Sequence, residues 1–344
     1  MDFGLVSFGA ALGSPTPVAD VASEYTDKIG LVLARGYRNV LRCPAGVGLT
    51  DLAVDAARQA LAAAEVKAAD LDLVVLAVTD LTEYLYWDAA SSVAHRLGAR
   101  DAEAVLLTQA CTAGVLSLDM VAGRLATHPG YRVALVIAAN RCCEAYWNRL
   151  ETQPLVFSDG AAAAVAKRGH DRLRWLATET ITEGKYADFY RLDAGGAAAP
   201  FGSPASDAVG VNGYGARVRS GWEVMEHFGH DADLLREFSE HLDEQTERVL
   251  ARACARTGTE IGDLGKVILI NDNLTVMTSL AARLGIPLSR TNLDLSLEHG
   301  HLGAADQLFC LGYYHGHGEL EPGTRVALVS RGRGMHWACS LLEA

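Results

Sequence analysis

Short runs rich in valine, isoleucine and leucine alternate along the chain with alanine-rich stretches whose apolar positions recur at helical spacing. Continuous apolar runs of this kind are strands buried on both faces, and their alternation with helices describes a sheet covered by crossover helices. The class is α/β. Strands are expected at Leu71–Val78, Ala104–Thr108, Tyr131–Ala138, Val267–Ile270 and Arg325–Ser330. Helices are expected at Leu52–Ala64, Ala113–Ala126 and Ala232–Arg256, the last with Leu235, Phe238, Leu242, Val249 and Ala253 on one apolar face.

The pattern also repeats. Asp70–Leu76 is echoed by Asp263–Leu269, and Arg132–Val136 recurs letter for letter as Arg325–Val329; both pairs are 193 residues apart. A shared offset points to a duplicated unit, divided here into halves 1–170 and 171–344. No Pro/Ser-rich linker separates them, so they are expected to pack as one body. Glu183–Trp222 has no counterpart in the first half and carries Tyr186, Phe189, Tyr190, Phe201 and Trp222, which makes it a candidate pocket wall or lid.

Composition narrows the function. Half of the 344 residues are hydrophobic and 21% are charged, which excludes a disordered or fibrous chain. A net charge of −12 argues against general nucleic-acid binding, so an acidic carrier or a CoA phosphate needs a local basic patch. No apolar run reaches the ~20 residues of a membrane span and the first residues lack a secretory signal, so a cytoplasmic location is expected. Seven scattered cysteines suit neither a disulfide framework nor paired zinc ligands, so no metal site is expected.

One cysteine stands apart. Val105–Gly114 reads as a strand, a tight turn and a helix start, with Cys111 in the turn. There unpaired amides and the helix dipole favour thiolate, a nucleophile's position, although most cysteines are small buried hydrophobes. With this motif the chain resembles the β-ketoacyl-ACP synthase III family of the thiolase fold. Gln109–Gly114 is similar to the family's A-C-x-G elbow, Phe157–Ala163 to its F-G-D-G-A-G-A turn, and Gly332–Trp337 to its G-G-G-F-T-W loop. The resemblance implies two duplicated halves in a layered αβαβα body.

The departures shape the functional expectation. Where condensing members carry H-Q-A-N this chain has Ile270-Asn271-Asp272-Asn273, and where they carry G-N-T-S it has Gly300-His301-Leu302-Gly303. The usual histidine is isoleucine and the usual asparagine is histidine. Without that pair, the enolate left by decarboxylation of a malonyl thioester lacks its stabilisers. What remains is Cys111, His301 and Asp306, the inventory of acyl transfer, and this spacing resembles the ketosynthase III-like acyltransferases of polyketide and glycoside tailoring.

The duplication independently maps Thr108 onto His301 and Cys111 onto Ala304, so equivalent loops are expected to face one another across a pseudo-two-fold axis, where thiol and imidazole can meet. An Asp306–His301 bond requires His301 to precede the helix, since five residues is a poor same-face interval. His299 and His336 are the alternative bases, and a helix N-terminal charge is the structural alternative for Asp306. The resemblance implies an oxyanion hole from the backbone N–H groups of Cys111 and Arg333, although the family has glycine in place of Arg333. It also implies substrate contacts at Asn273, Trp147 and Arg149, and a loop Tyr84–Asp88 that reaches into the pocket of a homodimer partner, where Trp87 is expected to contact substrate. A turn asparagine is the structural reading of Asn273. Arg35, Arg38 and Arg42 form the densest basic group, open either to CoA or carrier phosphates or to solvated surface charge.

The expected activity is acyl transfer from acyl-CoA or a phosphopantetheinyl carrier protein, through a Cys-bound acyl-enzyme, to a hydroxyl, amine or carrier thiol, with no permanently bound cofactor. A small-molecule acceptor such as a glycosylated natural product is favoured. The alternatives are a starter-unit β-ketoacyl synthase and a noncatalytic thiolase-fold partner subunit.

Overall fold

The computed structural model describes residues 2–192, 196–198 and 221–344. The expected apolar runs form strands close to their expected bounds: β4 (Leu73–Val78), β5 (Glu103–Leu107), β6 (Val133–Asn140), β9 (Lys266–Ile268) and β10 (Arg325–Gly332). The expected helices are α3 (Leu49–Ala63), α5 (Ala113–Thr127) and α7 (Ala232–Thr257). Strands β1 (Phe3–Leu12), β7 (Gly160–Arg168), β8 (Arg174–Thr182) and β11 (His336–Glu343) complete a nine-stranded sheet among the described residues, in the order β5-β4-β6-β7-β1-β8-β11-β10-β9. Parallel pairs β4·β5, β4·β6 and β9·β10 carry the crossovers, and antiparallel pairs fill the middle.

This order mirrors the repeat. Strands β4, β6, β7 and β1 on one side correspond to β9, β10, β11 and β8 on the other, and the two sets meet where Gly4 of β1 pairs with Arg174 of β8. The 193-residue offset holds for fine detail as well. The one-turn helix Ala110–Thr112 before α5 maps onto Gly303–Ala305 before α10 (Asp306–Gly316), and Ala68–Asp70 maps onto Ile261–Asp263.

Three apolar clusters give the layers. Helix α3 and α4 (Ala89–Leu97) cover one face of the first set of strands, and α7 and α8 (Leu274–Arg283) cover one face of the second. Between the sets lie α5 and α10, whose Leu118, Val121, Leu308 and Leu311 share one core with strands of both. The order is therefore αβαβα. Because α5 touches β4 and β6 of one half and β8 and β11 of the other, the two helix starts meet at the molecule's centre.

Strand β7 shows why some elements escaped the apolar pattern. Its sequence GAAAAVAKR reads as helix by propensity, yet it is sandwiched between β6 and β1 with helices on both faces, where only small side chains fit. Among the insertion's aromatics, Phe189 packs with Phe228, Phe238 and Tyr186 against α7. Phe201 and the side chain of Trp222 lie outside the described residues. Among the described residues no helix is long and apolar enough to cross a membrane.

Candidate active site

Cys111 sits in the turn between β5 and α5, in the one-turn helix Ala110–Thr112. Ala110 adopts φ +49°, the left-handed region that a Cβ disfavours, so the chain reverses sharply just before the thiol. Thr112 N–H closes the turn onto the Gln109 carbonyl at 3.2 Å, and Ser330 holds the Cys111 carbonyl at 2.8 Å. Among the described residues the backbone N–H groups of Cys111 and Arg333 donate to no backbone carbonyl, and both residues line the cavity at the thiol.

His301 comes from the equivalent loop of the other half. It precedes α10, as its bond to Asp306 demands, and its main chain pairs with Val156 and Ser158 at 2.8 and 2.9 Å. The Phe157–Ala163 motif thus carries the histidine loop. On either side of His301, Gly300 and Gly303 have positive φ, and a Cβ on Gly303 would stand 2.3 Å from Thr79 Oγ1. The loops touch directly: a Cβ on Gly114 would lie 2.0 Å from the Ala304 carbonyl.

The result is a linear relay. Cys111 Sγ lies 3.1 Å from His301 Nε2, and His301 Nδ1 lies 2.6 Å from Asp306 Oδ2. A carboxylate accepts, so Nδ1 carries the proton and Nε2 faces the sulfur. Asp306 also accepts from the amides of Leu302 at 2.6 Å and Asn271 at 2.7 Å, which fixes its orientation. His301 and Asp306 are fully buried. Burial alone pushes an imidazole down, but the charge of Asp306, then that of Cys111, outweighs it and holds His301 well above its usual value. The ring of Phe157 meets that of His301 edge to face at 5.2 Å.

Of the alternative bases, His299 is spent on the Leu295 carbonyl and the Phe309 ring, while His336 meets Thr182 Oγ1 at 3.0 Å. Neither lines the cavity around the thiol.

That cavity holds about 140 Å³. Trp147, Leu155, Phe157, Tyr190, Leu242 and Ile270 give it apolar walls, and Cys111, His301, Thr79, Asp272, Arg331 and Arg333 add polar groups. Tyr190 brings the insertion to the wall, as expected of that segment. Ile270, at the place of the family's histidine, faces the cavity and offers no donor.

Several expected contacts go elsewhere. Asn273 caps α8, accepting from Val276 N–H at 3.0 Å and donating to Asp272 and the Pro154 carbonyl, which gives it a structural role as a helix cap. Arg149 is buried, and Asp159, Glu144 and the Phe157 carbonyl occupy its guanidinium, so it braces the cavity wall instead of facing a ligand. Trp87 is half-buried against the core under α3 and α4 and against Tyr84, and it does not line the cavity at the thiol of this chain, while Tyr84, Leu85 and Tyr86 stand exposed. The basic group is likewise engaged: Arg35 donates to the Leu150 carbonyl, Arg38 pairs with Glu298 and Arg42 with Glu24.

The structure adds residues that the motifs did not single out. Asn271 ties the loop before α8 to Asp306 through its main chain and to Gly300 through its side chain at 2.9 Å, and Asn292 holds it in turn at 2.8 Å. Arg331 lies between Asp243 of α7 and Asp272, each 2.9 Å away; although its burial opposes the charge, the two carboxylates hold the guanidinium protonated. Burial pushes the Asp80 carboxyl up, against donors from Cys143, Leu81 and Trp147. Asn271 stands in the altered H-Q-A-N segment, so its signal is legible in the sequence.

Comparison with known proteins agrees with this architecture. Residues 107–184 match the model of 3-oxoacyl-[acyl-carrier-protein (ACP)] synthase III, and residues 254–344 match the model of its C-terminal region. A β-ketoacyl-[acyl-carrier-protein] synthase III of Synechocystis sp. is 30% identical over 341 residues, covering 96% of this chain and 97% of its own. Among solved structures, the acyltransferase ChlB3 superposes with a TM-score of 0.84 at 22% identity, covering 100% of this chain and 98% of its own. The 3-oxoacyl-[acyl-carrier-protein] synthase III of Aquifex aeolicus superposes with a TM-score of 0.78 at 21% identity, covering 99% and 100%. With a mirrored thiolase-fold body, an elbow cysteine and a relative this similar along its whole length, the chain belongs to the β-ketoacyl-acyl-carrier-protein synthase III family.

Proposed function

We propose that this protein is an acyltransferase that works through a Cys111 acyl-enzyme. The supporting observation is the relay Cys111–His301–Asp306 beside Ile270, in a cavity without the histidine and asparagine that condensing members use on an enolate. In the first step Sγ attacks the carbonyl of an acyl-CoA or acyl-carrier thioester. The C–S bond of the donor breaks, and the departing thiolate takes the proton that Nε2 received from Cys111. In the second step an acceptor hydroxyl, amine or thiol attacks the acyl-enzyme, Nε2 takes its proton, and the Cys111 sulfur leaves and recovers it. The free amides of Cys111 and Arg333 receive the oxyanion each time.

A hydroxyl acceptor in secondary metabolism is the favoured case. The exposed Tyr84–Tyr86 segment supports a homodimer, and a cytoplasmic site of action completes the reading.

The decisive experiment incubates the protein with acyl-CoA and malonyl carrier protein, then with acyl-CoA and an alcohol. A mass increment on Cys111 followed by ester formation, without CO2, is expected. The names of the curated relatives favour the rival reading, a starter-unit synthase, and CO2 with a β-keto thioester would establish it instead. No increment on Cys111 with any acyl-CoA would leave a noncatalytic subunit.

A further inference from the structure

Arg333 stands at the tip of the turn between β10 and β11, with Gly332 before it and Gly334, at φ +135°, after it. Glycine on both sides gives this tip wide backbone freedom. The main chain is secured on either side: Gly332 pairs with His336, and Met335 exchanges both main-chain bonds with Glu183, at 2.9 and 3.2 Å. Arg333 itself is tied through its side chain, whose guanidinium donates to the Thr79 carbonyl at 2.6 Å across 254 residues of sequence.

Thr79 follows β4 and works in two directions. Its hydroxyl accepts the Ala304 N–H at 2.5 Å, inside the one-turn helix that follows His301. The fit is close, since a Cβ on Gly303 would stand 2.3 Å from that hydroxyl oxygen. One residue therefore joins the tip carrying Arg333 to the loop carrying the imidazole. The strand end before the tip also abuts the thiol turn, where a Cβ on Gly332 would lie 3.2 Å from the amide nitrogens of Cys111 and Thr112. Charge holds the guanidinium in the same place: burial pushes the Asp80 carboxyl up, and donors from Cys143 and Leu81, then the Arg333 charge, act against that.

Resting on the acyl-transfer reading, we propose that the Arg333 side chain is a positioning residue, which anchors the tip to Thr79 and so holds the Arg333 amide where the oxyanion forms. A hydrogen-bond donor lowers the barrier only if it is aimed before the charge develops. A tip between two glycines does not keep that aim by itself, and a charge-assisted bond to a carbonyl of a buried residue supplies the constraint. The family has glycine at this place, so the anchor is a feature of this chain. Two departures from the family's residues, the loop of His301 and the side chain of Arg333, thus meet on Thr79.

The test separates two reactions of Cys111, each followed by intact mass against time and corrected with Cys111→Ala. Acylation by p-nitrophenyl acetate passes through an oxyanion, whereas alkylation by iodoacetamide uses the same thiolate and forms none. Arg333→Met keeps the stem without the donor; it is expected to slow acylation at least tenfold while alkylation stays within about twofold of wild type. Arg333→Lys, which still presents a charged donor on a long stem, is expected to return acylation to within about threefold. Equal acylation by wild type and R333M would overturn the assignment. So would parallel losses in both reactions, which mark a general disturbance of thiol and imidazole. If R333M does not fold, Arg333→Gly carries the same test, because glycine is the residue that the family has there. Failure of the acyl-transfer reading gives a different result and would end both: iodoacetamide alkylates wild-type Cys111, yet neither the ester nor any acyl-CoA adds mass to it.

Discussion

His301 is pulled in opposite directions by burial, which disfavours its charge, and by Asp306 and Cys111, which favour it and win. Nε2 must be unprotonated to accept a proton from an acceptor, so the transfer rate is expected to rise with pH past the ~6.5 of a free imidazole. Asp306→Asn should move that rising limb to lower pH and slow transfer at least tenfold; a pH–rate profile with an unmoved limb would remove Asp306 as the cause. Linkage gives a matching statement about stability. A raised imidazole value stabilises fully below ~6.5 and loses its contribution as pH climbs through the folded-state value. Asp306→Ala should therefore destabilise by ~3–5 kcal/mol near pH 6, and by less at pH 9, in urea titrations. His301→Ala should still permit slow loading of Cys111, since a thiolate attacks unaided, yet cut transfer to an alcohol by at least a hundredfold; equal turnover would take His301 out of the reaction. Asn273→Ala tests the capping role: loss of a helix cap costs ~1 kcal/mol, and the KM for the thioester should stay within about twofold.

At the scale of elements, the site is the contact between two equivalent helix starts. The Ala110–Thr112 turn of α5 carries the thiol, and the loop before the Gly303–Ala305 turn of α10 carries the imidazole. Gly114 lets them approach, since a Cβ there would collide with the Ala304 carbonyl at 2.0 Å, a main-chain atom that cannot swing aside. Gly114→Ala is expected to cost ~1–3 kcal/mol and to lower turnover more than tenfold by spreading sulfur from imidazole. Unchanged turnover would show that the two loops keep their spacing without this contact. The motif Phe157–Ala163 was legible as a family signature, but its work here was not. Its main chain grips His301, and Asp159 gathers Arg141, Arg149 and the amides of Cys43 and Cys142, contacts between segments more than a hundred residues apart in places.

For the whole molecule, the central core joins Leu118 and Val121 of the first half to Leu308 and Leu311 of the second, so neither half buries its middle layer alone. Residues 1–170 expressed separately should lack a cooperative unfolding transition, whereas the full chain should unfold in one; a folded, cooperative fragment would show that each half is autonomous. The 193-residue offset made this duplication legible because buried parallel strands need long apolar runs, and such runs survive as recognisable repeats. Strands such as β7 left no such trace, since alanine serves a crowded strand and a helix equally well.

The chain alone, then, determined the α/β class and the repeat, and singled out Cys111, with His301 and Asp306 as candidates while His299 and His336 stayed open. Periodicity and equivalent positions are properties of the linear order. Only the folded structure decided that Asn273 caps a helix, that Arg149 is consumed internally, and that Arg331 is neutralised while Arg333 reaches the Thr79 carbonyl. Whether a polar side chain is free or already satisfied depends on neighbours that arrive from distant segments, and no local pattern records them.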